Sequence, residues 1–361
     1  MNKRVYNFYA GPATLPENVL KIAQTELLNY QNSGMSIMEM SHRSPSVEKV
    51  MSSAEQSIKE LLNIPENYRV LFLQGGASSQ FFMVPYNFIL DNKVANYLVT
   101  GSFAEKAYQE AAQIGQAHIA ATTKELKYTR VNTPDEISLS NDVAYVHLTS
   151  NNTIYGTQWE SFPELNAPLI ADMSSDILSR QFDASKFDLI YAGAQKNLGP
   201  AGVTIVIISN ALLEISAQQK TLPTMLNYIT HAQKDSLYNT PSVFPIYIVN
   251  LVLEWLKEQG GVAAVEKQNR YKAGLIYDII DQSDGFYQGH AKRDRSLMNI
   301  TFRLQNEDLE KKFVQEAADK GLIGLKGHRS VGGIRASVYN AMPVSGCQAL
   351  ADFMINFMKN N

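Results

Sequence analysis

Residues 169–196 read LIADMSSDILSRQFDASKFDLIYAGAQK, and this stretch decides the fold class. Two short apolar runs, 169–171 and 189–192, are separated by one crossover connection. Short apolar strands joined in this way indicate βαβ units and a mostly parallel sheet. A polar residue, Asp172 or Lys196, follows the carboxyl end of each run. Open α/β sheets hold ligands in the crevice at that edge, so both side chains are candidates for ligand contact.

The same alternation continues on both sides of this stretch. Apolar runs bounded by turn residues predict further strands at 70–73, 93–99, 143–148 and 203–208. Helical spacing predicts helices at 17–31, 46–62, 79–90, 104–114 and 245–260. Ser46 is the candidate N-cap of the second helix. We expect the last helix to link two domains of an α/β protein.

Beyond residue 260 the pattern changes. Residues 298–304 alternate apolar and polar side chains, which predicts a strand with one buried and one wet face. Helices are predicted at 307–320, ended by Gly321, and at 345–358, with a strand at 334–338 between them. These segments predict a smaller α+β domain. The predicted division is therefore an arm (1–15) associated with the small domain, a large domain (16–258) and the small domain (259–361).

Composition excludes several classes of protein. Of the 361 residues, 45% are hydrophobic and 19% are charged, as in a globular rather than a disordered chain. The formal net charge of −3 provides no positive field for nucleic acid or an anionic membrane. The single cysteine, Cys347, excludes a disulfide scaffold and a cysteine-rich zinc site. With no apolar stretch in residues 1–7 and no membrane-length segment, we expect a cytoplasmic protein, and we expect no metal site.

The small residues at 75–79, GGASS, follow an apolar run and precede a predicted helix. They allow backbone N–H groups to approach an anion at a helix N-terminus, where the helix dipole adds positive charge. The same residues would also suit a tight strand-to-helix turn without a ligand. Because the segment matches no established phosphate-loop pattern, the sequence leaves both interpretations open.

Asp172 and Lys196 are more informative as a pair than singly. A lysine among small and apolar neighbours has its ammonium form disfavoured by desolvation and becomes a better nucleophile, as a Schiff base with an aldehyde requires. An aspartate opposite a pyridinium nitrogen completes what pyridoxal 5'-phosphate needs. Taken singly, Asp172 could be a helix cap or turn residue, and Lys196 a solvated loop lysine.

Several cations and one polar segment form a third group of candidates. Arginine forks bind carboxylate and phosphate groups, although each such residue could also be an ordinary surface side chain. Asn239 and Thr240, before the 245–260 helix, could cap that helix or bind a phosphate oxygen. The cations in this group are His42, Arg43, His328, Arg329 and Arg335.

With these motifs in view, the whole chain resembles the phosphoserine aminotransferase family, pyridoxal-phosphate enzymes of fold type I within the class-V aminotransferases. The resemblance rests on eight segments in order: NFYAGPA (7–13), SHR (41–43), QGGAS (74–78), TSNNTIYGTQ (149–158), ADMSS (171–175), GAQKN (193–197), YNTP (238–241) and GHRSVGGIRAS (327–337). It implies a seven-stranded, mostly parallel mixed sheet in the large domain. It also implies amino transfer from L-glutamate to 3-phosphohydroxypyruvate, giving O-phospho-L-serine and 2-oxoglutarate in L-serine biosynthesis. Some members also act on a phosphorylated hydroxythreonine in vitamin B6 synthesis.

The resemblance also implies roles for residues. Lys196 would attach to the cofactor aldehyde, and Asp172 would pair with the pyridinium nitrogen. The ring and phosphate would be held by Ala77, Ser78, Phe103, Thr153 and Gln195. Asn239 and Thr240 would reach the cofactor of a partner subunit, which implies a homodimer with shared active sites. The substrate would contact Ala10, His42, Arg43, His328, Arg329 and, through its α-carboxylate, Arg335.

At two positions this chain departs from many family members. Phe103 stands where many have a tryptophan that stacks on the cofactor ring, and Ser78 stands where some have an arginine. The rival interpretations are a cysteine desulfurase, an alanine–glyoxylate-type aminotransferase and a catalytically silent α/β binding protein. The first would need a reactive cysteine on a mobile loop, whereas Cys347 lies in a predicted apolar helix.

Overall fold

The computed structural model describes residues 4–361, so the first three residues of the predicted arm lie outside the described residues. The strands are β1 (Tyr6–Asn7), β2 (Tyr68–Leu73), β3 (Val94–Val99), β4 (Ala117–Thr122), β5 (Val143–Thr149), β6 (Asn151–Asn152), β7 (Thr157–Gln158), β8 (Leu169–Asp172), β9 (Leu189–Gly193), β10 (Thr204–Ser209), β11 (Gln288–Gly289), β12 (Asn299–Arg303), β13 (Leu322–Ile323) and β14 (Ile334–Ser337). The α-helices are α1 (Glu17–Glu26), α2 (Pro45–Leu62), α3 (Gly76–Phe88), α4 (Ser102–Ile114), α5 (Asn210–Ser216), α6 (Tyr228–Ala232), α7 (Val243–Glu258), α8 (Gly261–Asp281), α9 (Glu307–Asp319) and α10 (Val344–Lys359).

A seven-stranded sheet in the order β2-β10-β9-β8-β5-β3-β4 forms the centre of the molecule. Only β10 runs antiparallel to its neighbours, so the predicted α/β fold with a mostly parallel mixed sheet is confirmed. Every residue of β8, β9 and β10 is buried. These strands read as continuous apolar runs because helices cover both faces of the sheet.

Two hydrophobic cores lie on the two faces of this sheet. One contains the buried faces of α1, α2 and α7. The other contains those of α3, α4, α5 and α6. Because both faces are covered, the free edge available for a ligand is the one at the carboxyl ends of the strands.

A third core belongs to the C-terminal part of the chain. The antiparallel sheet β11-β12-β14 packs there with α8, α9 and α10. Strand β1 of the arm pairs in parallel with β13, and Phe8 is fully buried in this core. The N-terminal arm is thereby fixed to the C-terminal part.

Helix α8 connects this C-terminal part to the part built around the seven-stranded sheet, which is called the large part below. Its residues Val262 and Val265 belong to the first core, and Ala273, Ile276 and Ile280 belong to the third. The predicted linking helix is α7, whose buried residues all lie in the first core, so that prediction is wrong. A domain division at 258/259 stays a prediction.

Strand β12 also differs from expectation. Its predicted wet face is buried, because Asn299 and Thr301 face the large part of the chain rather than solvent. Asn299 Oδ1 accepts a hydrogen bond from Asn151 Nδ2 at 2.8 Å, and Thr301 Oγ1 donates to the carbonyl of Tyr155 at 2.9 Å. The polar half of this strand therefore joins the two parts.

Some boundaries and segments were not predicted correctly. Helix α1 ends at Glu26, and Gln31 has a positive φ of 46°, so the helix predicted to reach residue 31 stops early. Helix α2 begins at Pro45 with Ser44, not Ser46, in the N-cap position. Strand β4 and helices α5, α6 and α8 have no counterpart among the predictions. None of the helices within residues 4–361 has the length and apolarity needed to cross a membrane.

Candidate active site

A cavity of about 310 Å³ opens at the carboxyl ends of β5 and β8 and at the N-terminus of α3. Its walls come from the large part of the chain, from the N-terminal arm and from the segment around β14. Ten of the predicted site residues line it: Ala10, Ala77, Ser78, Phe103, Thr153, Asp172, Gln195, Lys196, His328 and Arg335. The fold thus brings together residues that are far apart in sequence.

Lys196 follows β9 and is half-buried in the cavity wall. Its Nζ donates a hydrogen bond to Thr153 Oγ1 at 2.9 Å and lies 5.7 Å from the centre of the Phe103 ring. Burial lowers the pKa of the Lys196 ammonium to about 8, the Asp172 carboxylate opposes this shift, and the positive charge of Arg335 adds to it. The amine is therefore a better nucleophile than a surface lysine.

Asp172 closes β8 and is buried. Its Oδ1 accepts a hydrogen bond from the backbone N–H of Ser174 at 2.9 Å, so the turn interpretation of this residue is correct, and its role toward a ligand stays a prediction. Burial raises the pKa of the Asp172 carboxyl, whereas Ser174 and the charge of Lys196 lower it. A cationic ligand atom would relieve the cost of keeping this carboxylate charged.

The start of α3 forms one end of the cavity. Gly75 has a φ of +92°, and a Cβ there would lie 1.9 Å from Ser79 Oγ, so the tight turn requires glycine. Gly76 faces open space. The first N–H groups of a helix have no acceptor within it, and here those of Ala77 and Ser78 belong to residues that line the cavity. This geometry suits an anion such as a phosphate.

Cationic groups also lie in and beside the cavity wall. Arg335 Nη1 donates to the carbonyl of Thr153 at 3.4 Å, and within the described chain its buried Nε has no hydrogen-bond partner. Burial lowers the pKa of His328, and the charges of Arg335, Arg329 and Lys106 lower it further. The clustered positive charge would bind an anionic substrate.

Five predicted residues do not line the cavity: His42, Arg43, Asn239, Thr240 and Arg329. Thr240 Oγ1 lies 3.3 Å from His42 Nδ1, and the Thr240 carbonyl accepts from Gln74 Nε2 at 3.4 Å. Asn239 lines a separate cavity of about 250 Å³. Arg43 is exposed, as is Arg329 beside the main cavity. The contacting pair of His42 and Thr240, called the His42–Thr240 cluster below, does not line the cavity of its own chain.

Several residues of the site were missed by the sequence analysis. Thr149, Asn151, Ser174 and Ser175 line the cavity, and all stand within or just after predicted strand ends, which was the available signal. Lys106 was also missed, although it lies one helical turn after Phe103, with Nζ 5.6 Å from the ring centre. Within residues 4–361, no group of three His, Cys, Asp or Glu side chains could hold a metal.

The donor set fits a phosphorylated pyridine aldehyde. It combines an amine of lowered pKa, a buried carboxylate, free helix N–H groups and an arginine with an unpartnered nitrogen. These groups match, in order, an aldehyde, a pyridinium nitrogen, a phosphate and a substrate carboxylate.

Comparison with known proteins supports this interpretation. The family model described as Aminotransferase class-V matches residues 5–350. The phosphoserine aminotransferase of Geobacillus kaustophilus (strain HTA426) is 56% identical over 358 residues, which cover 99% of each chain. The solved structure of phosphoserine aminotransferase from Bacillus circulans subsp. alkalophilus has a TM-score of 0.97 at 54% identity and 99% coverage of each chain.

A pyridoxal-phosphate-bound phosphoserine aminotransferase from Trichomonas vaginalis has a TM-score of 0.90 at 38% identity, covering 98% of this chain and 100% of that one. Likeness at this identity and coverage extends beyond the fold alone. The chain belongs to the class-V aminotransferases, which are pyridoxal-phosphate-dependent transaminases, and within them to the phosphoserine aminotransferase family.

Proposed function

We propose that this chain transfers the amino group of L-glutamate to 3-phosphohydroxypyruvate, with O-phospho-L-serine and 2-oxoglutarate as products, in L-serine biosynthesis. The observation that carries the proposal is one cavity that holds Lys196, Asp172 and Arg335. The names of its full-length relatives support the choice of substrates. A cytoplasmic location belongs to the proposal too, and its support is the free, buried thiol of Cys347, which suits a reducing compartment.

The cofactor in this proposal is pyridoxal 5'-phosphate. When bound, it supplies an aldehyde for amine exchange and an electron-withdrawing ring that acidifies the substrate Cα–H bond. Lys196 Nζ would hold the aldehyde end and Asp172 the ring nitrogen. The N–H groups of Ala77 and Ser78 would hold the phosphate, with Thr153 and Gln195 beside them. Phe103, which stands in place of an indole, would cover the ring face.

Lys196 would move the proton. With a pKa lowered to about 8, its free amine would accept a proton from Cα of the amino donor near neutral pH, and in the second half of the exchange it would deliver a proton, as a general acid, to Cα of the acceptor. Thr153 Oγ1, 2.9 Å from Nζ, orients the amine. Asp172 stays charged only if its burial cost is offset, and this requirement favours a cationic ring nitrogen beside it.

The cations divide the work of binding substrate. Arg335, from β14, would hold the α-carboxylate that both amino donor and acceptor carry. His328 and Arg329 would hold the distal anion, together with His42 and Arg43. That anion is a carboxylate in glutamate and a phosphate in phosphohydroxypyruvate, and arginine binds both. With Ser78 in place of an arginine, more of the phosphate binding depends on these residues.

A homodimer with shared sites is part of the same proposal. The His42–Thr240 cluster lies outside its own cavity and therefore has functional groups to offer a second copy. Exposed large apolar side chains are frequent in the sequence just before it: Leu20, Ile22, Leu27, Leu28, Met35 and Met38. A continuous surface of exposed apolar side chains is typical of a protein–protein interface.

Mixing two inactive variants tests the shared site. If Arg43 serves the partner's cavity, a heterodimer of Lys196→Ala and Arg43→Ala chains has one intact site. Random reassociation should then restore about a quarter of wild-type activity, because half the dimers are mixed and each has one good site of two. Light scattering checks the dimer. No gain on mixing would place Arg43 in its own chain's site or outside any site.

Activity profiling tests the proposed reaction. The purified protein should be yellow, and borohydride should bleach it and fix the label on Lys196. We expect kcat/KM to be highest with 3-phosphohydroxypyruvate, and glyoxylate to be a poor acceptor. The phosphorylated keto acid of the vitamin B6 route, assayed in parallel, shows whether it is a second substrate. Preference for glyoxylate, or a colourless protein that binds no cofactor, would reject the proposal.

A further inference from the structure

A second lysine is fully buried, but it lies outside the cavity. Lys272, on α8, has none of its side chain exposed. Its Nζ donates to the backbone carbonyls of Tyr339 at 2.7 Å, of Val338 and Met342 at 3.1 Å each, and of Asn340 at 3.4 Å. Among the residues described, no carboxylate lies within 4.0 Å of this ammonium.

The four carbonyls come from one short segment, 338–342, between β14 and α10. This segment is neither helix nor strand. Its carbonyls are therefore not used in the hydrogen-bond pattern of a helix or a sheet and are available to the Lys272 ammonium. A buried charge is costly unless dipoles or charges compensate it, and here the carbonyl dipoles do so. Lys272 therefore acts as an internal cation around which the segment is wrapped.

The wrapped segment contacts the active site at two points. Tyr339 Oη donates to the carbonyl of Ala10, which lines the cavity, at 2.8 Å. The backbone N–H of Asn340 donates to Asn197 Oδ1 at 3.0 Å, and Asn197 directly follows Lys196. The segment thereby holds both the N-terminal arm and the turn that carries the reactive amine.

Helix α8 holds the same segment a second time. Asn269 Nδ2, one turn before Lys272, donates to Asn340 Oδ1 at 2.8 Å. Asn340 Nδ2 in turn donates to the carbonyl of Leu178 at 2.9 Å. The ammonium and this amide chain fix the segment between the two parts of the molecule.

We propose, on the basis of the proposed function, that Lys272 is a positioning residue for the reaction. Its ammonium fixes segment 338–342 so that Tyr339 and Asn340 hold Ala10 and the Lys196 turn in place. A shift of about 1 Å at a reacting group can cost about 100-fold in rate, so this support matters for turnover.

The test uses Lys272→Met, which keeps a long unbranched side chain, shorter by one heavy atom, and removes its donors, in the full chain with cofactor. The matched control is Lys267→Met, an exposed lysine on the same helix. We expect Lys272→Met to lower kcat about 10- to 100-fold with little change in either KM, because the Lys196 turn rather than Arg335 loses its support. Hydrogen exchange should become faster in residues 8–13 and 194–198, and the control should match the wild type.

A double-mutant cycle with Asn197→Ala separates positioning from general stability. If Lys272 acts on the Lys196 turn through Asn340 and Asn197, the two changes together should cost less than the product of their separate effects on kcat. The proposal would be overturned if the effects of the two substitutions on kcat simply multiplied. It would also be overturned by a Lys272→Met chain with normal kcat and normal hydrogen exchange. If that chain does not fold, Lys272→Gln keeps two donors and replaces it. Failure of both to fold would show that the residue serves folding only.

The exchange measurement also separates this proposal from the assigned reaction. A wild type without activity on phosphohydroxypyruvate, combined with faster exchange at 8–13 and 194–198 in Lys272→Met, would reject the reaction and keep the positioning role.

Discussion

Lys196 and Lys272 are both held in the protein interior, and burial lowers the pKa of each to about 8. Their surroundings differ. Lys196 faces a cavity of about 310 Å³ and has one hydroxyl partner, Thr153, and the charge of Asp172 nearby. Lys272 is fully buried, and its ammonium contacts four carbonyls.

The difference shows that a lowered pKa alone does not make a lysine catalytic. At Lys196 the amine has free volume for a ligand and a carboxylate that suits a cationic ring. At Lys272 the hydrogen-bonding capacity of the ammonium is used within the protein. Space and partners, rather than proton affinity, assign the two roles.

The largest expected effect comes from removing the first lysine. Lys196→Ala should lower kcat by about 1,000-fold or more, because the proton-transfer group is lost. The folded state should keep its melting temperature to within a few degrees, since a half-buried side chain beside a cavity makes few packing contacts. Steady-state kinetics and calorimetry measure both. Turnover at the wild-type rate would contradict the assigned role.

Asp172→Asn tests the carboxylate that Lys196 has and Lys272 lacks. Loss of a buried charge partner costs about 3–5 kcal/mol, so kcat should fall about 100- to 5,000-fold and cofactor should dissociate more readily. The pKa of Lys196 in the cofactor-free chain should also fall, since Asp172 raises it. Asp188→Asn, a half-buried aspartate at the opposite edge of the sheet, is the control. Equal losses in the two variants would argue against a specific role.

Aldehyde labelling compares the two lysines directly. Cofactor-free protein is treated with formaldehyde and a reductant over a range of pH, and each lysine is quantified by mass spectrometry. The Lys196 rate should rise through pH 8 and then level off, because only the neutral amine reacts. At pH 8 it should exceed the labelling rate of an ordinary surface lysine about 100-fold, since such a lysine has a pKa of about 10.4. Lys272 should stay unlabelled. Labelling of Lys272 at a rate similar to that of Lys196 would show that both amines are accessible and would contradict the different roles of the two lysines.

Arg335→Ala should have the smallest of these effects. Loss of a charge-assisted, two-point contact should raise KM about 10- to 100-fold for glutamate and for the keto acid alike. Arg335→Lys should recover part of the loss, because a single ammonium replaces the planar fork. An increase for one substrate only would show that Arg335 does not bind the α-carboxylate they share.

How far the sequence predicted the site depends on where each residue stands. Asp172 and Lys196 were found because apolar strands precede them and parallel strands end at one edge. Lys106 was missed, although its helical spacing from Phe103 was an available signal. Lys272 had no signal, because its partners are backbone carbonyls, which look the same in every sequence.

The local sequence pattern of apolar runs, glycine turns and polar strand ends determined the α/β sheet. The same pattern identified Lys196 and Asp172 as candidate site residues. Hydrophobic burial of both sheet faces dictates that pattern, and so the sequence displays it. Only the tertiary structure decided that α8 joins the two parts, that the polar side chains Asn299 and Thr301 of β12 are buried, and that one lysine serves as an internal cation. These features depend on contacts between segments that are far apart in the sequence. The energies of such contacts cannot be inferred from the spacing of residues within one segment.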